Sequence, residues 1–254
     1  MQAEQGYLIL AINQPDCDYV SMARRLAASI RQWHPEVNIA LMSTDSNQYP
    51  EFSHHVAVDN TVLGSNPYAV DPKVFYYTPF RETVKLEADM IMAGPCEHWW
   101  TMFRHRDVVV STGCRTWLDQ PSAARDYRKI FDANDLPDVY NAITYWRRST
   151  TAKQFFDLAQ NIFDRWELYA RTIRFPETEP STDVVYAMAA KLVGTELVTM
   201  PFASYPRIVH MKAAHARTQR QNWCEELVWE TDPLRIQTIA QWGAFHYNVK
   251  DWQP

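Results

Sequence analysis

In the first sixty residues, two apolar runs flank one amphipathic segment, and this order is the strongest constraint on the fold. Residues 7–12 (YLILAI) and 37–42 (VNIALM) are apolar runs typical of fully buried strands. Between them, apolar residues recur at helical spacing from Tyr19 to Trp33, and His34-Pro35 ends the predicted helix. A minor strand is predicted at residues 56–58. This strand–helix–strand order predicts an α/β fold with a mostly parallel central sheet flanked by helices.

The remaining patterns extend the same architecture. The predicted strands are residues 84–92, 107–111, 139–146 and 207–211, with a further apolar segment at 245–247. The predicted helices are residues 71–83, 150–173 and 182–192. Because no repeat, low-complexity segment or linker interrupts the chain, we predict a single domain over residues 1–254.

The scarcity of glycine excludes several classes of enzyme. Only 6 of the 254 residues are glycine, and all six are isolated from one another. No G-x-G-x-x-G, Walker A or G-x-S-x-G motif can therefore be written, which argues against dinucleotide-dependent dehydrogenases, P-loop enzymes and α/β-hydrolases. The net charge of −5 argues against a general nucleic-acid coat protein.

The apolar segments and the cysteines indicate the cellular location of the protein. No apolar run approaches the roughly 18 residues that a membrane span needs, and the N-terminus lacks the basic flank of a secretory signal. The four cysteines are far apart and form no C-x-x-C pair. We therefore expect a cytoplasmic protein, in the host cytoplasm if the chain is viral.

Two acids interrupt an otherwise apolar run. Glu87 and Asp89 lie within VKLEADMIM, and buried carboxylates are rare unless they are paired or bind a cation. At positions i and i+2 of a strand, both side chains point to one face, about 7 Å apart. Two carboxylates at a strand exit suit Mg²⁺ or Mn²⁺. Alternatively the strand ends here and both acids lie in solvent, although the apolar run continues over residues 90–92.

These acids lie in a pattern that resembles a known family. The E-x-D after an apolar strand looks like the D-x-D motif of glycosyltransferases with the GT-A fold. The matching segments, taken in order, are Leu10–Asn13, Tyr19, Trp33–Pro35, Lys73-Val74, residues 84–92, Tyr140–Tyr145 and Ser181–Val185. They are similar to segments of the retaining clan that includes glycogenin and the bacterial galactosyltransferases of lipopolysaccharide synthesis. The chain has a weaker resemblance to uncharacterised GT-A-type proteins of bacteriophages.

The resemblance implies a Mn²⁺ or Mg²⁺ ion held by Glu87, Asp89 and a histidine near the C-terminus. We prefer His210 as the third ligand because it lies in an acid-free basic stretch, residues 197–224, that suits a diphosphate. The alternative third ligand is His246, which could instead be a core histidine.

The resemblance also implies a binding site for a nucleotide diphosphate sugar. The residues implied for the base, the ribose and the diphosphate are Ala11, Asn13, Tyr19, Asp45, Lys73 and Lys212. Asn141 and Asp183 are implied at the donor sugar and the reacting carbon. Ser-Thr-Asp before an apolar helix is also an ordinary N-cap run, so Asp183 has a purely structural alternative.

The predicted function is therefore metal-dependent glycosyl transfer, with a UDP-sugar as the favoured donor and retention as the implied stereochemistry. Residues of about 6–95 would bind the nucleotide, and residues 96–254 would bind the acceptor and carry the metal and diphosphate loop. The acceptor is a hydroxyl of either a glycan or a hydroxymethylated base in phage DNA. The alternatives are a sugar-phosphate nucleotidyltransferase and a non-catalytic binding module of the same fold. The sequence leaves the sugar and the oligomeric state open.

Overall fold

The computed structural model describes residues 3–64, 66–113, 128–200, 208–211, 215–217, 227–231, 235–239 and 243–247. Its strands are β1 (Ala3–Leu10), β2 (Ile39–Ser43), β3 (His54–Ala57), β4 (Phe80–Glu87), β5 (Met90–Met92), β6 (Val108–Thr112), β7 (Val139–Arg147), β8 (Ile208–Met211), β9 (His215–Arg217), β10 (Leu227–Thr231), β11 (Arg235–Ile239) and β12 (Ala244–Tyr247). Its α-helices are α1 (Tyr19–Trp33), α2 (Asn60–Leu63), α3 (Val74–Tyr77), α4 (His98–Phe103), α5 (Arg128–Ala133), α6 (Thr150–Asp164), α7 (Trp166–Ile173), α8 (Thr182–Val193) and α9 (Thr195–Val198). A 3₁₀ helix covers Pro67–Lys73.

A six-stranded sheet forms the centre, in the order β3-β2-β1-β4-β7-β6. Strands β3, β2, β1 and β4 are mutually parallel, whereas β7 runs antiparallel to both of its neighbours. The predicted α/β fold with a mostly parallel sheet flanked by helices is confirmed. Two smaller sheets, β11-β10-β9 and β5-β12-β8, complete the described strands.

Both faces of the central sheet are buried, because successive side chains of a strand point to opposite faces. In β1, Tyr7 and Ile9 pack in one apolar cluster, which includes the buried face of α1. Leu8 points the other way, into a second cluster formed largely by α6 and α8. This two-sided burial explains why the first strand is a continuous apolar run rather than an alternating one.

Two predicted elements are wrong around the acidic strand. The helix predicted at 71–83 is instead the 3₁₀ helix followed by the single turn α3, and β4 begins at Phe80. Pro79 disfavours the helical conformation of the preceding residue, and Thr78 is accordingly extended, with φ −57° and ψ 134°. The predicted strand 84–92 is also interrupted, since β4 ends at Glu87 and β5 begins at Met90. Asp89 therefore lies in a turn between two strands that belong to different sheets.

The helix predicted at 150–173 is divided into α6 and α7 at Arg165, which has a non-helical backbone conformation of φ −114° and ψ 32°. No helix among the described residues is both long and apolar enough to cross a membrane.

Candidate functional site

Three parallel strands end at the same edge of the central sheet. Leu10, the last residue of β1, pairs with Met42 of β2 and with Glu87 of β4. The chain leaves this edge at Ala11, whose N–H donates to the carbonyl of Met42 at 2.9 Å. In open parallel sheets, the carboxyl ends of the strands are the expected place for a ligand. The register thus brings Glu87 and the segment after β1 to one edge.

A second pairing brings a distant histidine to the same place. Strand β12 runs antiparallel to β5, with His246 opposite Met90 and next to the turn that holds Asp89. Helix α1 anchors β5, because the indole N–H of Trp33 donates to the Met92 carbonyl at 3.0 Å. The Met92 N–H in turn donates to the Ser29 hydroxyl at 3.0 Å.

Glu87, Asp89 and His246 form a compact group, which we call the acid–histidine cluster. The Nε2 atom of His246 lies 3.0 Å from a carboxylate oxygen of Asp89 and 3.2 Å from one of Glu87. One potential ligand atom from each residue lies within 4.8 Å of the other two. On the far side of the imidazole, Nδ1 lies 2.6 Å from the Tyr140 hydroxyl. The tyrosine thus orients the ring with Nε2 toward the two carboxylates.

The cluster has the chemistry of a divalent-cation site. Two carboxylates and one imidazole are ligands that Mn²⁺ accepts, whereas Mg²⁺ prefers oxygen alone. A protonated imidazole between two carboxylates would give the same distances, so the cluster can hold either a proton or a cation. Desolvation by burial raises the pKa of Glu87 to about 7, although Lys85 and His246 act in the opposite direction. Asp89 contributes to the rise through like-charge repulsion.

A cavity of about 280 Å³ opens next to the cluster. Its lining residues are Leu10, Ile12, Gln14, Tyr19, Pro67, Tyr68, Asp71, Lys85, Glu87, Ala88, Asp89 and His246. Asp71 and Lys85 are the most buried of the charged residues in this lining, and we call them the floor of the cavity, whereas Tyr68 is half-exposed. Three carboxylates and one ammonium line the cavity, so its described wall is negatively charged unless a cation is bound. Burial raises the pKa of the phenol of Tyr19 and that of Tyr68, and nearby carboxylates add to the effect.

A hydrogen-bonded network lies beneath the cavity and joins four elements of the fold. The ammonium of Lys85 donates to Asp71 at 2.8 Å and to the Asn141 carbonyl at 3.0 Å. Asp71 also accepts from the Asn141 amide at 3.0 Å and from the Tyr186 hydroxyl at 2.7 Å. The backbone N–H of Asn141 donates to Asp183 at 2.8 Å. Asn141 and Asp183, which the sequence pairs only by resemblance, are therefore in direct contact.

Several residues predicted to bind the nucleotide lie at or near this edge. Tyr19 lines the cavity, and Ala11 is buried where the chain leaves β1. The side chain of Asn13 accepts the N–H of Val20 at 2.9 Å and so helps to cap α1. Asp45 accepts the Tyr49 hydroxyl at 2.6 Å, and this hydrogen bond lowers the pKa of Asp45. Of these four residues, the structure places only Tyr19 on the cavity wall.

The lysines and histidines predicted to bind the diphosphate or the metal lie in different parts of the structure. Lys73 is the last residue of the 3₁₀ helix and is not among the described residues that line the cavity. Lys212 lies outside the described residues. His210 is described only as part of β8, where it pairs with His246 in the register of two parallel strands. Among the side chains that the structure describes, the histidine against Glu87 and Asp89 is His246.

Sequence reasoning missed Lys85, Asp71 and Tyr140. Lys85 could have been found, because it interrupts the apolar strand two residues before Glu87 and therefore shares its face. No local signal marks Asp71 or Tyr140, since their roles depend on contacts with residues far along the chain.

Two surface arginines that could contribute to a nucleic-acid channel, Arg104 and Arg147, have carboxylate partners. Arg104 lies 2.8 Å from Glu82, and Arg147 lies 2.6 Å from Asp107. These ion pairs at the surface account for both side chains without a nucleic-acid ligand.

Comparison with known proteins establishes the fold. No protein-family model and no curated protein matches the sequence. Among solved structures, an active-site mutant of LgtC aligns with a TM-score of 0.54 at 12% identity, covering 95% of this chain and 86% of that one. Mouse xyloside xylosyltransferase 1 in its apo form aligns with a TM-score of 0.50 at 11% identity, covering 82% of this chain and 88% of that one. The chain has the α/β arrangement of GT-A glycosyltransferases.

Proposed function

We propose that this chain is a metal-dependent glycosyltransferase that moves a sugar from a nucleotide diphosphate donor, a UDP-sugar by preference, to a hydroxyl acceptor. The observation that carries the proposal is the acid–histidine cluster beside a cavity at the carboxyl edge of a GT-A-type sheet. We further propose that residues of about 6–95 bind the nucleotide, and that residues 96–254 bind the acceptor within the same domain.

The charge of the cavity supports dependence on a cation. A diphosphate would meet Glu87, Asp89 and Asp71, with Lys85 as the one ammonium on the described wall. Without a cation the site would repel it. A divalent ion held by Glu87, Asp89 and His246 would neutralise the carboxylates and stabilise the negative charge that develops on the leaving diphosphate. Mn²⁺ is the cation that we propose, because one ligand is an imidazole.

The other roles follow from position. Tyr19, on the cavity wall, is placed to stack against the base, since an aromatic ring packs on any base face. Ala11, Asn13 and Asp45 follow strands β1 and β2 and would bind the base or ribose through the backbone and polar groups at this edge. We retain Lys73 and Lys212 as proposed ligands of the diphosphate.

Asn141 and Asp183 support a role at the reacting sugar. Asn141 is fully buried and belongs to the network beneath the cavity, and Asp183 accepts its N–H. We propose a retaining reaction, in which no protein base is needed at the acceptor. If the reaction inverts instead, Asp183 is the best candidate base, since its carboxylate lies in the first turn of α8 beside Asn141.

We propose a glycan hydroxyl as the acceptor, in the cytoplasm. The ion-paired state of Arg104 and Arg147 removes two of the cations that a DNA channel would use. A hydroxymethylated base in phage DNA is the other acceptor to test. Retention on DNA that weakens with salt would identify it.

The proposal is tested by a thermal-shift panel of UDP-, GDP-, CDP- and TDP-sugars, each with Mn²⁺ and with chelator. A ligand at 100 times its Kd adds about 2.7 kcal/mol of stability, so binding gives a visible shift. We expect a shift with one nucleotide sugar that disappears with chelator and in the double variant Glu87→Ala with Asp89→Ala. The matched control is Glu82→Ala, an acid of β4 that pairs with Arg104 outside the cavity. If no nucleotide sugar shifts the wild type, the chain is a binding module of another kind. If it releases diphosphate from a nucleoside triphosphate and a sugar phosphate, it is a nucleotidyltransferase.

A further inference from the structure

The floor of the cavity is an ion pair that is almost completely buried. The side chains of Lys85 and Asp71 are 0% and 4% exposed, and their charged atoms lie 2.8 Å apart. Desolvating two charges costs much of what their attraction returns, so a buried ion pair is a weak source of stability. Because the ion pair lines a cavity, we ask whether it contacts a ligand there.

The Lys85–Asp71 ion pair has unused hydrogen-bonding capacity. An ammonium has three N–H donors, and those of Lys85 reach Asp71 and the Asn141 carbonyl. One N–H therefore remains without a partner among the described residues. The carboxylate of Asp71 accepts from Lys85, Asn141 and Tyr186, which leaves room for one further donor.

The ion pair is also more buried than the acid–histidine cluster, since the side chains of His246, Asp89 and Glu87 are 7%, 8% and 31% exposed. Lys85 precedes Glu87 by two residues on β4, so the two side chains share a face about 7 Å apart. A donor whose diphosphate is held at the cluster would have its sugar within reach of this floor.

A sugar hydroxyl suits the pair better than a phosphate oxygen does. A hydroxyl accepts one hydrogen bond and donates another, which matches the open donor of Lys85 and the open acceptor of Asp71. A phosphate oxygen only accepts, and the Asp71 carboxylate would repel its charge. We infer that Lys85 and Asp71 together bind one hydroxyl of the donor sugar and so contribute to the choice of sugar. This inference rests on the proposed function.

The test measures the contribution of the sugar to binding separately from that of the nucleotide. The double variant Lys85→Met with Asp71→Asn removes both charges together, so neither is left buried without its partner, and Asn at 71 can still bond to Asn141 and Tyr186. Calorimetric titration with Mn²⁺ uses two kinds of probe, UDP alone and the UDP-sugars of glucose and galactose. The matched control makes the same two replacements in the exposed pair Lys153 and Asp157, which lies outside the cavity.

In the double variant, we expect the affinity for the UDP-sugar to fall about tenfold to a hundredfold more than the affinity for UDP, as for the loss of a hydrogen bond to a charged group. The control should change neither affinity. Equal affinities of the double variant and the wild type for the UDP-sugar would overturn the inference, as would equal losses for UDP and UDP-sugar, which indicate a merely structural pair. A wild type that binds neither kind of probe with Mn²⁺ refutes the proposed function itself, and this inference with it.

Discussion

The hydroxyl of Tyr140 lies 2.6 Å from Nδ1 of His246, across a sequence separation of 106 residues. The two rings also contact each other edge to face, with centroids 5.5 Å apart. When His246 binds a cation through Nε2, its Nδ1–H can donate to the tyrosine oxygen. A partner of this kind orients a metal-binding histidine and fixes its tautomer.

Removing the tyrosine hydroxyl should therefore weaken cation binding without abolishing it. For Tyr140→Phe we expect a Mn²⁺ affinity lower by about tenfold to a hundredfold, the usual cost of losing such a partner. Titration of Mn²⁺ in the presence of UDP measures this. Because the aromatic ring is retained, thermal stability with chelator should stay close to that of the wild type. An unchanged Mn²⁺ affinity would show that Tyr140 does not orient the ligand.

The two candidate histidines can be separated by single substitutions. His246→Ala should abolish the Mn²⁺-dependent shift with UDP, because His246 contacts Glu87 and Asp89. His210→Ala, on the neighbouring strand, is the comparison, and we expect it to retain the shift. The opposite result would support the sequence-based preference for His210.

Cation binding should depend on pH through Glu87. Its pKa is raised from 4.5 to about 7 in the folded chain, chiefly by burial. With chelator, the contribution of Glu87 to stability is thus present below its unfolded value and is lost as the pH rises through about 7. The cation binds the deprotonated carboxylate, so its stabilising effect should change in the opposite sense and grow over that range. Thermal shifts with Mn²⁺ and UDP between about pH 5.5 and pH 8 measure both trends. A Mn²⁺-dependent shift that is constant over this range would contradict the assignment of Glu87 as a ligand.

Tyr19 offers a test of base stacking. Tyr19→Ala should weaken UDP binding by about 1–3 kcal/mol, the range for an aromatic ring stacked on a base. Tyr19→Phe keeps the ring and should bind UDP almost as the wild type does. Tyr76→Ala is a suitable control, since Tyr76 is half-exposed and lies outside the cavity lining. Equal binding by Tyr19→Ala and the wild type would remove Tyr19 from the nucleotide site.

One glycine of β1 is required by close packing. A Cβ atom at Gly6 would overlap the ring of Phe80, which is fully buried at the start of β4. Gly6→Ala should therefore lower the free energy of unfolding by about 1–3 kcal/mol, as overpacking does. Chemical denaturation measures the change, and Gly64→Ala is a useful comparison because no atom lies within 4 Å of a Cβ there. That control still carries the backbone strain of a positive φ of 56°. A variant at Gly6 as stable as the wild type would mean that the Phe80 ring can move aside.

Much of the sheet follows from the sequence because its signals are local. The apolar runs of β1 and β2 and the spacing of α1 reflect burial of neighbouring residues, and they predict the parallel core. Where the local signal is short, prediction failed. The segment 71–83 begins with Asp71-Pro72, a helix-start signal, but Pro79 and the start of β4 at Phe80 limit the α-helix to α3.

The sequence by itself determined that two acids follow a buried strand at the edge where parallel strands end, because strand periodicity and apolar burial depend on adjacent residues. Only the tertiary structure brings His246 to them. His246 reaches Asp89 through the pairing of β12 with β5, and such a pairing depends on the register of segments far apart in the chain. The ion pair of Lys85 with Asp71 is likewise tertiary, since it joins β4 to the 3₁₀ helix and both charges are buried.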